Sequence, residues 1–189
     1  VMEEQWLYEG ITGTYLPLLQ MFEGLVADGV PYRCTVSLSA PLITMLTDDL
    51  LKERYAHHLD RLIELSEKEL DRTRPEPHYH RLAGMYRDRF QSIRHTWRSH
   101  EGNLVRAFRR LQEAGRVEVI TSTATHAFFP LLDRNWAALR AQVHVAADLY
   151  ERHFGCRPRG MWLGECGYVP GVDELLREVM SSTGYADWV

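Results

Sequence analysis

From residue 117 onward the apolar and breaker residues mark out strands alternating with helices, and that alternation constrains the fold more than any other feature. Val117 to Ser122 reads as a strand, Asn135 to His153 as a helix, Gly160 to Glu165 as a strand and Val172 to Ser182 as a helix. Gly184-Tyr185 then leads towards another strand. Strands separated by helices pair in parallel, because a helical crossover is what returns the chain to the same end of a sheet. A doubly wound sheet and an α/β barrel both satisfy this order, and periodicity does not choose between them. In either, chemistry gathers at the C-terminal strand ends, where the loops converge.

The first half of the chain is more helical. Leu7, Ile11, Tyr15, Leu18, Leu19, Phe22 and Val26 recur at helical steps, which predicts a helix over 6–27 closed by Gly29. Pro17 falls inside that pattern and should kink or split it. Tyr32 to Leu38 reads as a short strand, followed by a loop at Ser39-Ala40-Pro41. Residues 48–72 and 78–113 form two long helical stretches around the breaker cluster Thr73 to Pro77. In the second stretch Tyr86, Phe90, Ile93, Trp97, Leu104, Phe108 and Leu111 form a packing seam interrupted around Gly102. The arginines here, among them Arg87, Arg94, Arg106 and Arg109, alternate with Asp88, Glu101 and Glu113, the pattern of a solvated face.

With 189 residues, 45% hydrophobic and 25% charged, the chain suffices for one domain or for a piece of a larger one. A net charge of −4 offers no positive field for a phosphate backbone or an anionic membrane, so neither nucleic acid nor membrane is expected as a partner. Three cysteines without a C-x-x-C pair, no long apolar span and the acidic start Val1-Met2-Glu3-Glu4 lead to a cytoplasmic expectation. The opening at Val1 inside a structured stretch and the stop at Asp187-Trp188-Val189 as an apolar run begins suggest a fragment.

Three strand ends carry candidate chemistry: Ser39, the run Thr123 to His126, and Glu165 to Tyr168. In Gly160-Met161-Trp162-Leu163-Gly164-Glu165-Cys166-Gly167-Tyr168 a carboxylate ends an apolar strand. Alternation would place Met161, Leu163 and Glu165 on one face, where a carboxylate is costly unless it is hydrogen-bonded, paired or catalytic. Trp162, on the other face, reads as packing. His57-His58 and His78-Tyr79-His80 lack the spacing of a helical zinc pair, so no metal is expected. No G-x-G-x-x-G, G-x-x-x-x-G-K or G-x-S-x-G pattern occurs, and no cofactor is expected.

Taken together, these segments resemble glycoside hydrolase family 57, and within it the 1,4-α-glucan branching enzymes. Glu3 to Glu9 with Ile11-Thr12 and Thr14 to Leu19 looks like that group's first helix. Gly115 to Pro130 looks like the family's second motif and Trp162 to Tyr168 like its third. The resemblance implies a (β/α)7 barrel, of which this chain is an incomplete portion with a helical insertion over about 48–113. It also implies an α-1,4-glucan substrate, no metal, and a retaining double displacement with Glu165 as nucleophile. His126 would hydrogen-bond a sugar hydroxyl, Trp6 would offer its indole to a glucose ring, and Cys166 and Tyr168 would line the site.

The family's first motif, with paired histidines, and the fourth, with the acid/base aspartate, have no counterpart in this sequence, so the chain alone is expected to be inactive. Gly10 and Gly13 stand where alanine and glutamate would be expected, and Gly164 where proline or alanine is usual, which should loosen the end of the nucleophile strand. α-Amylase and 4-α-glucanotransferase activities share the nucleophile motif and are the near alternatives. A non-catalytic glucan-binding barrel and a metal-dependent carbohydrate deacetylase are the readings from other classes.

Overall fold

A computed structural model describes residues 2 to 180, so the expected strand at Gly184-Tyr185 lies outside the described residues. The chain forms two compact units, Val1–Pro31 with Leu46–Ala107 and Tyr32–Met45 with Phe108–Val189.

The first unit is helical. The chain is helical from α1 (Met2–Gly10) through a π-turn at Ile11–Tyr15 into α2 (Leu16–Ala27). The α-helix is thus interrupted just before the proline, by a wider turn rather than a break. The Leu16 N–H reaches five residues back to the Ile11 carbonyl, and Pro17 lies in the first turn of α2, where a missing donor costs little. The wide turn takes up the clash with the preceding turn that would otherwise break the helix.

In the second unit α3 (Ala40–Thr47) begins where a loop was expected, and it continues into the first unit. Ser39 explains the start: its hydroxyl accepts the Leu42 N–H at 3.4 Å, and the Ile43 N–H bonds the Ser39 carbonyl at 2.9 Å. The next two helices are α4 (Asp49–Arg72) and α5 (Pro77–Ser99). The Asp48 carboxylate caps α4 by accepting the Leu51 N–H at 2.9 Å.

The expected single stretch over 78–113 is two helices, because Glu101 (φ 54°) and Gly102 (φ 67°) take the left-handed conformation and α6 starts anew at Leu104–Glu113. Of the residues expected to form the seam, Ile93, Trp97, Leu104, Phe108 and Leu111 are buried, whereas Tyr86 is exposed. Among the arginines, Arg94 pairs with Asp60 at 3.2 Å, Arg106 with Glu101 at 2.8 Å and Arg109 with Glu113 at 2.8 Å, as on a solvated face. The core of the first unit centres on Tyr55, fully buried, with Trp97 edge-on at 4.6 Å and Tyr8 at 5.8 Å between ring centroids.

The second unit holds three parallel strands in the order β1 (Cys34–Ser37), β2 (Val117–Ser122) and β3 (Met161–Trp162). Cys34 is in register with Val117, and Ser122 with Trp162. The helix α7 (Trp136–Phe154) makes the crossover from β2 to β3, and its Tyr150 hydroxyl donates to the Val119 carbonyl at 2.8 Å. Burial pushes that hydroxyl's pKa up. After β3 comes α8 (Val172–Met180), and Leu139, Val143 and Ala147 pack with Phe129, Val172 and Leu175 in the core. Among the described residues no helix is long and apolar enough to cross a membrane.

Candidate active site

The last buried residues of β2 feed directly into a tight loop. The His126 N–H bonds the Thr123 carbonyl at 3.2 Å, and the Ala127 N–H donates to the Thr123 hydroxyl at 2.7 Å. Gln142 of α7 holds the same loop from the side. Its carbonyl accepts the Ala124 N–H at 3.0 Å, its side-chain oxygen accepts the Thr125 N–H at 2.9 Å, and its amide donates to the Thr125 hydroxyl at 2.9 Å. So fixed, His126 stands at φ 55°, a left-handed conformation that costs a non-glycine residue about 1–2 kcal/mol.

The third motif departs from the expected extended strand. Pairing stops at Trp162, and Gly164–Cys166 form a 3₁₀ turn with Glu165 at φ 49° and Cys166 at φ 58°. The expected loosening at Gly164 is overturned, because a Cβ on this residue would lie 2.5 Å from the Ala127 carbonyl oxygen and 2.9 Å from that of His126. A Cβ on Gly167 would lie 2.6 Å from the Phe128 ring and 2.7 Å from Pro130. Both glycines are buried, and they press the turn onto the loop that carries His126. Three left-handed residues other than glycine, His126, Glu165 and Cys166, thus meet where the two motifs touch, a concentration of strain that surrounding packing must maintain.

This turn sets the position of Glu165. Its side chain is 78% exposed, so alternation along a strand does not place it over Met161 and Leu163, and it does not carry the expected desolvation cost. Its Oε1 lies 3.6 Å from His126 Nε2, within ion-pair range although long for a hydrogen bond. On the far side of that ring the Ser122 hydroxyl, at the end of β2, lies 3.4 Å from Nδ1.

Cys166 is exposed beside Glu165, and Tyr168 is also exposed, with its hydroxyl donating to Asp173 Oδ1 at 2.9 Å. That bond holds the Tyr168 pKa above its ordinary value and the Asp173 carboxyl below the usual range. Trp6, exposed on α1, belongs to the first unit, whereas the other four candidates belong to the second. Trp162 is 57% exposed rather than packed, and its register with Ser122 puts it on the same face of the sheet.

Thr123 opens the run expected to carry chemistry, whereas Ser122 and Gln142 were not among the expected site residues. Ser122 carried a usable signal, a hydroxyl at the strand end four residues before the loop histidine; Gln142, in mid-helix, carried none. His80 Nδ1 lies 3.0 Å from the Leu70 carbonyl and the His58 ring packs on Tyr8, so both have structural partners. No group of three or more His, Cys, Asp or Glu side chains suited to hold a metal occurs among the described residues.

The site's chemistry is that of an exposed carboxylate held on a strained turn beside an imidazole. Residues 1–187 match the model of glycosyl hydrolase family 57. A 1,4-alpha-glucan branching enzyme of Thermococcus kodakarensis is 37% identical over 168 residues, covering 88% of this chain and 24% of that protein. The crystal structure of the alpha-amylase AmyC from Thermotoga maritima is 42% identical, with a TM-score of 0.90 over 94% of this chain and 34% of that one. That of a branching enzyme from Pyrococcus horikoshii is 36% identical, with a TM-score of 0.85 over 88% of this chain and 31% of that one. The chain thus spans about a quarter to a third of the length of these relatives.

Proposed function

The chain belongs to glycosyl hydrolase family 57, and from that premise we propose that it supplies the nucleophile-bearing part of a retaining α-glucan-active enzyme, a 1,4-α-glucan branching enzyme. Residues 1–189 form part of one (β/α)7 barrel catalytic domain, with the helices over about 48–113 as an insertion. The observation that carries the reading is the Glu165 turn, locked by Gly164 and Gly167 onto the loop of His126. A carboxylate that attacks carbon must be held in place by its backbone, and here the backbone cannot shift without moving the second motif.

In the proposed reaction a Glu165 oxygen attacks the anomeric carbon of an α-1,4-linked glucose while the bond to the leaving 4-oxygen breaks. A second carboxyl group, about 5–5.5 Å away in retaining enzymes, protonates that oxygen. The resemblance assigns it to an aspartate of the fourth motif. The glucan chain then rests on Glu165 as an ester. The 6-hydroxyl of an acceptor chain loses its proton to the same second carboxyl group and attacks the anomeric carbon, which frees the Glu165 carboxylate. Exclusion of water from the ester is what separates branching from hydrolysis. His126 would hydrogen-bond a sugar hydroxyl, with Cys166 and Tyr168 lining the site, and Trp6 would offer its indole to a glucose ring.

One observation favours a second reading: the 42% identity to an alpha-amylase, in which water takes the acceptor's place. Product analysis separates the two. Amylose incubated with the protein as its gene encodes it should gain α-1,6 linkages, seen by proton NMR and lost in Glu165→Gln. Shortened linear chains without new linkages would favour the amylase reading, and turnover undiminished in Glu165→Gln would refute the nucleophile assignment.

A further inference from the structure

The geometry points to Ser122 as a positioning residue that acts on Glu165 through His126, an inference that rests on the glycosyl-transfer reading above. Ser122 is the last residue of β2 and only 2% exposed, so its hydroxyl is held by the sheet. That hydroxyl lies 3.4 Å from His126 Nδ1, and His126 Nε2 lies 3.6 Å from Glu165 Oε1. A carboxylate only accepts hydrogen bonds, so the neutral ring meets Glu165 favourably only with its proton on Nε2. Nδ1 is then an acceptor, and the Ser122 hydroxyl is the donor placed to satisfy it. In that tautomer the imidazole bridges a buried hydroxyl and an exposed carboxylate, with both of its nitrogens assigned.

The backbone supports the same arrangement. His126 holds a left-handed conformation, and the Thr123 hydroxyl and Gln142 fix the residues on either side of it. What remains free is rotation of the imidazole, which a bond at Nδ1 restricts. With the ring so aimed, its Nε2–H engages one carboxylate oxygen and leaves the other to attack. Once the glycosyl ester forms, the carboxylate charge is gone and the same N–H can turn to a sugar oxygen. Contacts of 3.4 and 3.6 Å are long and would tighten with substrate bound, as catalytic contacts commonly do.

The test is a double-mutant cycle on the rate at which 5-fluoro-α-D-glucosyl fluoride labels Glu165 in the protein as its gene encodes it. Fluoride leaves without needing a proton, so the rate reports the attacking carboxylate. Ser122→Ala should slow labelling about five- to tenfold, the effect of one hydrogen bond, and Ser122→Thr, which keeps the hydroxyl, should restore most of it. His126→Ala should slow labelling on the order of 10²-fold, and adding Ser122→Ala to it should change nothing more. In nitrogen-15 spectra of the 189-residue chain, the Nδ1 resonance of His126 should move in Ser122→Ala.

Labelling of Ser122→Ala at the parent rate, an equal slowing in the His126→Ala background, or an unmoved Nδ1 resonance would each overturn the inference while leaving Glu165 as nucleophile. Failure of the parent protein to label at Glu165 would instead overturn the functional reading and the inference with it.

Discussion

Gly164 shows at the scale of one residue how the site is held. The atoms nearest its absent Cβ are backbone carbonyls, which cannot swing aside as a flexible side chain could. Gly164→Ala should therefore destabilise the protein by about 1–3 kcal/mol, measured by urea unfolding; unchanged stability would show that the turn can move freely. Tyr55 plays the corresponding part in the first unit: it is fully buried, with 3.0 Å between its hydroxyl and that of Thr12. Burial pushes its pKa from 10.0 up to about 12. A pKa raised on folding means a contribution to stability that is complete below pH 10 and lost as pH rises towards 12. Tyr55→Phe should flatten that alkaline loss, and an identical pH dependence in the variant would rule out this tyrosine as its source. Of these features the sequence showed Glu165 as an acid at a strand end, but its exposure depended on two left-handed residues that no alternation pattern encodes.

At the scale of elements, local pattern fixed what propensity controls. The β2 strand spans Val117–Ser122 as read, and α7 is Trp136–Phe154 against an expected 135–153, because Asn135 caps it and Gly155 ends it. The misreadings occur where tertiary contact decides. The strand before Glu165 shrinks to two residues because the turn packs on the second-motif loop, and α3 was hidden behind a Ser-Ala-Pro sequence that reads as a breaker but starts a helix. The loop from Ala124 to His126 depends on an element distant in sequence, since Gln142 of α7 makes three of its hydrogen bonds. Gln142→Ala keeps the helix propensity and removes both side-chain bonds. Amide exchange at Thr125 should rise on the order of tenfold or more while α7 stays protected. Unaltered exchange at Thr125 would mean that the loop holds its own shape.

At the scale of the whole molecule, the chain spans 24% of one curated branching enzyme and 34% of one solved amylase. The parallel pairing of β2 with β3 was legible from the alternation of strands and helices, and the family from the two motifs around His126 and Glu165. The distribution of the chain between two compact units was not legible, because the helices over 49–99 carry the same amphipathic signal wherever they pack. Retaining transfer needs a second carboxyl group opposite Glu165, so the 189-residue chain by itself should neither branch nor shorten amylose. Turnover by the isolated chain that disappears in Glu165→Gln would contradict this.

In the proposed reaction one oxygen of Glu165 bonds to the anomeric carbon. Reaction of the protein as its gene encodes it with 5-fluoro-α-D-glucosyl fluoride, followed by peptide mass spectrometry, tests it directly. The added sugar should be found on the peptide containing Gly164-Glu165-Cys166 and be missing in Glu165→Gln. A sugar ester on any other residue, with Glu165 unmodified, would contradict it.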